Sequence, residues 1–179
     1  MTQPNLDQLN ADILAEFSTY TVQYKANSAL MKLFNVLLII VTFGQSKSFM
    51  TSFVTTIWTT VYVPSSWDSL NSADKCVLLR HERVHMRQAR NLGRWRFALT
   101  YMLWPLPILL AKGRASLEME AYTETLRAWN DYGANILQTG FRVDIISNFT
   151  TGAYGWMWPF PRDIGDWYNS AAKQVLAGK

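Results

Sequence analysis

The sequence lacks the features that would direct it to an oxidising compartment. Its 179 residues include one cysteine, Cys76, so no internal disulfide can form. The N-terminal segment MTQPNLDQLNADILAEF has no basic stretch followed by an apolar stretch, and we therefore expect no secretory signal and a cytoplasmic protein. Internal repeats, low-complexity tracts and linker-like stretches are also missing, which predicts one domain over residues 1–179.

No apolar run reaches the roughly 20 residues that a membrane-spanning helix needs. LMKLFNVLLIIVTF (30–43) is interrupted by Lys32, and FALTYMLWPLPILLA (97–111) contains two prolines. Both runs are first interpreted as buried core helices. Peripheral membrane contact stays an alternative, because basic residues flank the second run.

Acidic residues are the minority, 13 against 17 lysines and arginines, which gives a net charge of +4. Five arginines recur at three- and four-residue steps and would form one stripe on a helix: Arg80, Arg83, Arg87, Arg90 and Arg94. The stripe fits either a solvated helix face or a surface for an anionic lipid or acidic partner. No nucleic-acid motif accompanies it, so no nucleic-acid partner is predicted.

Periodicity and turn signals predict a chain with more helix than strand. Helices are expected over 7–25, 28–43, about 73–91, 95–103, 114–131 and from about 163, and strands within SFMTSFVTTIWTTVYVP (48–64). Asn71 or Ser72 can cap the helix that begins near residue 73, and Gly93 can end it.

Both histidines of the chain lie on that helix, in the sequence His81-Glu82-Arg83-Val84-His85. Residues four apart on a helix project side by side, so the two imidazoles can bind one ion between them. This is the HExxH pattern of zinc peptidases. Zinc lowers the pKa of its water, and Glu82 is then placed to act as the general base.

A catalytic zinc site needs a third protein ligand, and the chain has no third histidine. The segment RASLEMEAYTETLRAWNDY offers Glu118, Glu120 and Glu124. Glu118 shares the apolar face of the predicted helix, where a lone carboxylate is costly unless it is paired or metal-bound. We therefore predict Glu118 as the ligand, with Glu120 kept as the alternative. Tyr122, one turn on, is predicted to orient a ligand, to hydrogen-bond a reacting carbonyl or to pack as a core aromatic.

These motifs resemble those of the gluzincins, in which an HExxH helix precedes a second helix that carries a glutamate ligand. The chain reads Glu118-Met119-Glu120-Ala121 where that group has a Glu-x-x-Ala-type sequence. The size, with a core at about 50–130 and helical additions, resembles a minigluzincin, a small prokaryotic or phage-type peptidase. One departure is Tyr122, where many gluzincins place an acidic residue or asparagine.

The resemblance implies an α+β fold, mainly helical, in which the HExxH helix and the glutamate-bearing helix pack with a short antiparallel sheet. An edge strand from TTIWTTVYV (55–63) would then bind an extended peptide. Three functions follow as hypotheses: a zinc peptidase acting on a peptide or protein, a zinc amidase acting on a non-protein amide such as peptidoglycan, and a catalytically silent module. The last would contact a membrane surface or a larger assembly through the apolar runs and the aromatic YGWMWPFP (154–161).

Overall fold

The computed structural model describes residues 3–45, 48–103, 110–152 and 156–178. Its elements, in chain order, are α1 (Leu6–Glu16), β1 (Thr21–Tyr24), α2 (Ala29–Val41), β2 (Thr55–Ile57), β3 (Thr60–Val63), α3 (Ser72–Leu92), α4 (Arg94–Leu103), α5 (Lys112–Asp131), α6 (Thr139–Thr150) and α7 (Pro161–Leu176). The fold class is therefore confirmed as α+β and mainly helical. The prolines of the second apolar run lie outside the described residues.

The three described strands form a small mixed sheet in the order β1-β3-β2. β2 and β3 are the expected antiparallel hairpin, in which Thr56 pairs with Val61. β1 joins the other side of β3 in parallel, with Val22 opposite Val61. Residues 21–24 belonged to a predicted helix, so that helix is shorter than expected. β3 is consequently the central strand, and β2 is the edge strand of the predicted peptide-binding segment.

Helix α3 begins and ends at the residues that the sequence indicated. The Asn71 side chain accepts a hydrogen bond from the backbone N–H of Asp74 at 2.9 Å, which satisfies one of the free donors of the first turn. Gly93 closes the helix with φ 80°, a conformation that glycine adopts without strain. The helix packs against β2 on one side and against α5 on another. It therefore connects the sheet to the helices that follow.

Two main clusters of buried side chains flank α3. The first joins α1, β3 and α3, and its members include Ile13, Val61 and Leu79. The second joins α5, α6 and α7, and its members include Leu126, Phe149 and Met157. Helix α6 was not predicted, because its sequence TGFRVDIISNFT has β-branched residues and no clear helical period. Within YGWMWPFP, Met157 is fully buried while Phe160 is 44% exposed.

Helix α2 differs from the expectation of a buried helix. Among its described side chains only Met31 is buried. Leu33 and Ile40 are 54% and 65% exposed, and Phe43, just after the helix, is 90% exposed. The hydrophobic sequence of α2 predicted a buried helix. Within the described residues, however, no element covers the helix face that carries Leu33 and Ile40. None of the described helices is long and apolar enough to cross a membrane.

The arginine stripe is used largely for ion pairs within the chain. Arg83, Arg87 and Arg90 all contact the carboxylate of Glu16 at the end of α1, at 2.7–3.0 Å. Arg80 pairs instead with Glu124 and Asp131 of α5. Hydrogen bonds from Arg87 and Arg83 lower the pKa of Glu16 to about 2. Ion pairs of the stripe therefore connect α3 to α1 on one side and to α5 on the other.

Lys25 follows β1 and is fully buried. Its Nζ donates to the Phe49 carbonyl oxygen at 2.8 Å and lies 3.5 Å from the centre of the Phe49 ring. Burial lowers the pKa of Lys25 to about 7, although the negative charge of Glu82 opposes the change. A buried cation with one hydrogen bond and one ring contact is only partly compensated for its lost hydration.

We expect Lys25→Met to remove part of the pH dependence of stability. The folded pKa lies below the unfolded one, so between about pH 7 and 10.5 the unfolded chain binds more protons and wild-type stability rises with pH. The rise should approach about 1.4 kcal/mol per pH unit within that window. Urea unfolding at pH 7 and 9.5 measures it. Equal pH dependence in the two proteins would show that Lys25 titrates normally.

Candidate metal centre

His81 and His85 lie side by side on α3, one turn apart. Their ring centroids are 4.9 Å apart, and their Nε2 atoms are 3.2 Å apart. Both imidazoles point toward α5, the helix that carries the predicted third ligand. The HExxH spacing thus brings two ring nitrogens to one point, as the helical geometry predicted.

Glu118 of α5 reaches both histidines. Its carboxylate is 3.5 Å from His81 Nε2 through one oxygen and 3.7 Å from His85 Nε2 through the other. The side chain is almost completely buried, with 2% exposure. Glu120 is exposed and accepts a hydrogen bond from Gln88, while Glu124 pairs with Arg80. Of the three glutamates that the sequence offered, the structure brings Glu118 to the histidines.

The spacing of these atoms suits a small divalent cation. The ligand atoms of His81, His85 and Glu118 all lie within 4.8 Å of one another. A tetrahedral zinc ion with bonds of about 2.0–2.1 Å separates its ligand atoms by roughly 3.4 Å. The Nε2–Nε2 distance of 3.2 Å and the distance of 3.5 Å from His81 Nε2 to one Glu118 oxygen are close to that value, and His85 Nε2 lies 3.7 Å from the other oxygen of the same carboxylate. The three residues could therefore hold a metal ion without large movement.

Two further side chains fix the histidine rings from behind. Gln88 Oε1 accepts a hydrogen bond from His85 Nδ1 at 2.9 Å. Thr125 Oγ1 lies 3.0 Å from His81 Nδ1 and donates its own proton to the Ala121 carbonyl at 3.3 Å, so it accepts from the imidazole. With both Nδ1 atoms used as donors, both Nε2 lone pairs face the Glu118 carboxylate. Such a set of acceptors requires a proton or a cation among them.

The charges within the cluster depend on one another. Burial alone would lower the pKa of His85, but the adjacent Glu118 carboxylate raises it to about 9. Burial alone would raise the pKa of Glu118, but His85 and the hydrogen bonds of both imidazoles lower it well below its usual range. A proton on His85 thus balances the negative charge of the buried Glu118 carboxylate. A bound metal ion would replace that proton and balance the same charge.

Neither Gln88 nor Thr125 was singled out from the sequence. Thr125 lies on the same helical face as Glu118, seven residues later, and that periodicity was the available signal. Gln88 lies three residues after His85, within reach on the same helix.

Tyr101 was also missed, because it lies 17 residues before Glu118 and no local sequence pattern links the two. Its hydroxyl donates a short hydrogen bond to Glu118 Oε1, and burial raises its pKa well above the usual value.

Glu82 and Tyr122 complete the residues predicted for the site. Glu82, next to His81, is 5% exposed, and its charge acts on Lys25, His85 and Tyr101. The Tyr122 ring packs edge-on against His81, with centroids 4.9 Å apart. Its hydroxyl accepts a hydrogen bond from Asn148 of α6. The geometry thus places Tyr122 against a histidine through its ring rather than its hydroxyl.

Comparison with known proteins gives this chain no relative. No family model, no curated protein and no solved structure matches it. The fold and the His81–His85–Glu118 cluster therefore stand on the chain's own geometry.

Proposed function

We propose that this protein is a zinc-dependent peptidase. The observation that carries the proposal is the convergence of His81, His85 and Glu118, whose ligand atoms lie within 4.8 Å of one another, with Glu82 directly beside the first histidine in the sequence. Two imidazoles and one carboxylate leave a fourth position open, which distinguishes a catalytic zinc site from a closed structural one. The resemblance to the gluzincins supports the same conclusion.

A bound zinc ion would supply a water of lowered pKa and a Lewis acid for the scissile carbonyl. Glu82 would serve as the general base that accepts a proton from such a water and as the acid that returns it to the leaving amine. Gln88 and Thr125 hold the two imidazoles with Nε2 toward Glu118, in the orientation in which both nitrogens would hold a metal ion. Tyr122 packs against His81 and serves as a positioning residue, and Tyr101 holds one oxygen of Glu118.

The substrate is a peptide in extended conformation. β2 is an edge strand of the described sheet, and it lies against α3, which carries the histidines. An extended peptide can therefore add to β2 through main-chain hydrogen bonds and pass the metal centre. A non-protein amide such as a peptidoglycan link would use the same zinc ligands, so the choice between the two substrates depends on assay.

Zinc removal and replacement tests this function. We expect the purified chain to bind about one zinc ion, to cleave a denatured protein substrate, to lose that activity after chelation and to regain it with added zinc. Fragments are detected by mass spectrometry, and peptidoglycan is assayed in parallel. Hydrolysis that survives complete zinc removal would contradict the proposal.

The exposed side of α2 favours a second candidate, a catalytically silent surface-contact module. Leu33, Ile40 and Phe43 expose apolar surface that folding alone leaves uncovered. Zinc binding without hydrolysis of either substrate class would support that candidate against the peptidase.

A further inference from the structure

A pocket of about 420 Å³ lies near the C-terminal end of α3. It is formed by the segment after α1, the turn between β2 and β3, and the junction of α3 with α4. The residues that matter for its chemistry are Glu16, Thr19, Trp58, Thr59, Arg90 and Arg94. We call it the arginine pocket.

The arginine pocket carries excess positive charge. Its single acidic lining residue, within the described chain, is Glu16, whose two oxygens are already contacted by Arg83, Arg87 and Arg90. Of these three arginines only Arg90 lines the pocket, and Arg94 is the second lining guanidinium, 5.6 Å from the centre of the Trp58 ring. No carboxylate within the described residues forms an ion pair with Arg94. The pocket lining therefore carries two positive charges, Arg90 and Arg94, against one negative charge, Glu16, and this excess favours an anionic ligand.

The remaining lining groups suit a carboxylate. Arg90 donates one hydrogen bond from a terminal nitrogen to Glu16 and has further N–H groups. The planar guanidinium of Arg94 can bind a carboxylate through two N–H groups at once. The hydroxyls of Thr19 and Thr59 hydrogen-bond to each other at 2.9 Å, and Thr59 Oγ1 also donates to the Thr19 carbonyl oxygen at 3.2 Å, so the guanidinium groups are the donors that a ligand would meet. The carboxylate of Glu16, bound by three arginines in this same region, shows that the local geometry accommodates such a group.

We propose that the arginine pocket binds a carboxylate of the peptide substrate, either its free C-terminus or an acidic side chain. The inference rests on the proposed peptidase function. β2 leads directly into Trp58, so a peptide added to β2 runs toward the pocket. Along α3, Arg90 to Gly93 lie about 8–12 Å beyond His85, from a rise of about 1.5 Å per residue. An extended peptide covers that distance with about two to four residues.

Peptide binding tests the proposal without requiring catalysis. Four fluorescein-labelled alanine- and threonine-based peptides serve as probes: a free C-terminal acid, its amide, and two amides carrying an internal glutamate or glutamine. Anisotropy is measured at low salt on the full chain, zinc-free and zinc-loaded, with mass spectrometry to confirm that the probe is intact. We expect the acid or the glutamate probe to bind about fivefold more tightly than its neutral match, and salt to reduce the difference.

Arg94→Gln should bring acid and neutral probes to equal affinity. The matched control is Arg96→Gln, which removes one positive charge two residues further along the helix. Arg96 does not line the pocket, so this variant should keep the preference for the acidic probe. A preference for the free acid identifies a C-terminal carboxylate, and a preference for glutamate identifies an acidic side chain. Equal affinity for all four probes in the wild-type chain, or equal losses in the two variants, would overturn the proposal.

The two proposals fail separately. A chain that cleaves peptides with no preference for a nearby carboxylate keeps the peptidase function and loses the arginine pocket as a subsite. A chain that shows the Arg94-dependent preference but never cleaves keeps the pocket and loses the peptidase function.

Discussion

Glu118→Gln is expected to abolish tight zinc binding while leaving the chain folded. The substitution keeps the shape of the side chain but replaces an anionic ligand with a neutral amide, which binds zinc weakly. Loss of a group that merely supports a ligand costs about 10–100-fold in metal affinity. Loss of the ligand itself should cost more, so we expect at least about a hundredfold weaker binding in a competition titration with a chromophoric chelator.

Glu120→Gln is the matched control, since it makes the same chemical change two residues along the same helix. Glu120 is exposed, and a glutamine there can still accept the hydrogen bond of Gln88. Its zinc affinity should stay within a few-fold of the wild type. If Glu120→Gln lost zinc and Glu118→Gln kept it, the ligand assignment would be wrong. Thermal unfolding of both zinc-free variants checks that each is folded.

Local patterns were sufficient to predict α3 and the position of its two histidines. Capping by Asn71, the end at Gly93 and the four-residue spacing of the histidines are all properties of one helix, and each is visible in the sequence. The choice of Glu118 needed only the phase of a second helix, because a buried carboxylate on an apolar face requires a partner. The structure brings that carboxylate to the imidazoles.

Contacts between distant segments were not predictable in the same way. β1 pairs in parallel with β3, which lies about 40 residues later in the chain. A four-residue strand next to a helical pattern is too short for the sequence to predict either the strand or its pairing. The exposure of α2 was missed because hydrophobicity predicts what a helix would bury and not whether a neighbour is present. The contact of Tyr101 with Glu118 likewise depends on how α4 packs against α5.

Glu82→Gln is expected to lower the rate of hydrolysis by about 10²–10⁴-fold with zinc still bound, because it removes the general base and leaves the three ligands in place. The effect should fall on kcat, since Glu82 acts on the proton in the transition state and does not bind the substrate in its ground state. The Lys25 cation nearby would lose its counter-charge, so stability is measured alongside activity.

Two measurements on Glu82→Gln, its zinc content and its hydrolysis rate, test the role of Glu82 as the general base, with Glu120→Gln as the control. Zinc content should equal that of the wild type, because Glu82 is not a member of the cluster of His81, His85 and Glu118, and adjacent residues on a helix project in different directions. Glu120→Gln should keep nearly full activity, which excludes a general effect of lost negative charge. A Glu82→Gln chain that retains zinc and hydrolyses peptides at the wild-type rate would remove Glu82 from the mechanism. In that case the HExxH helix would have to be explained as a metal-binding element alone.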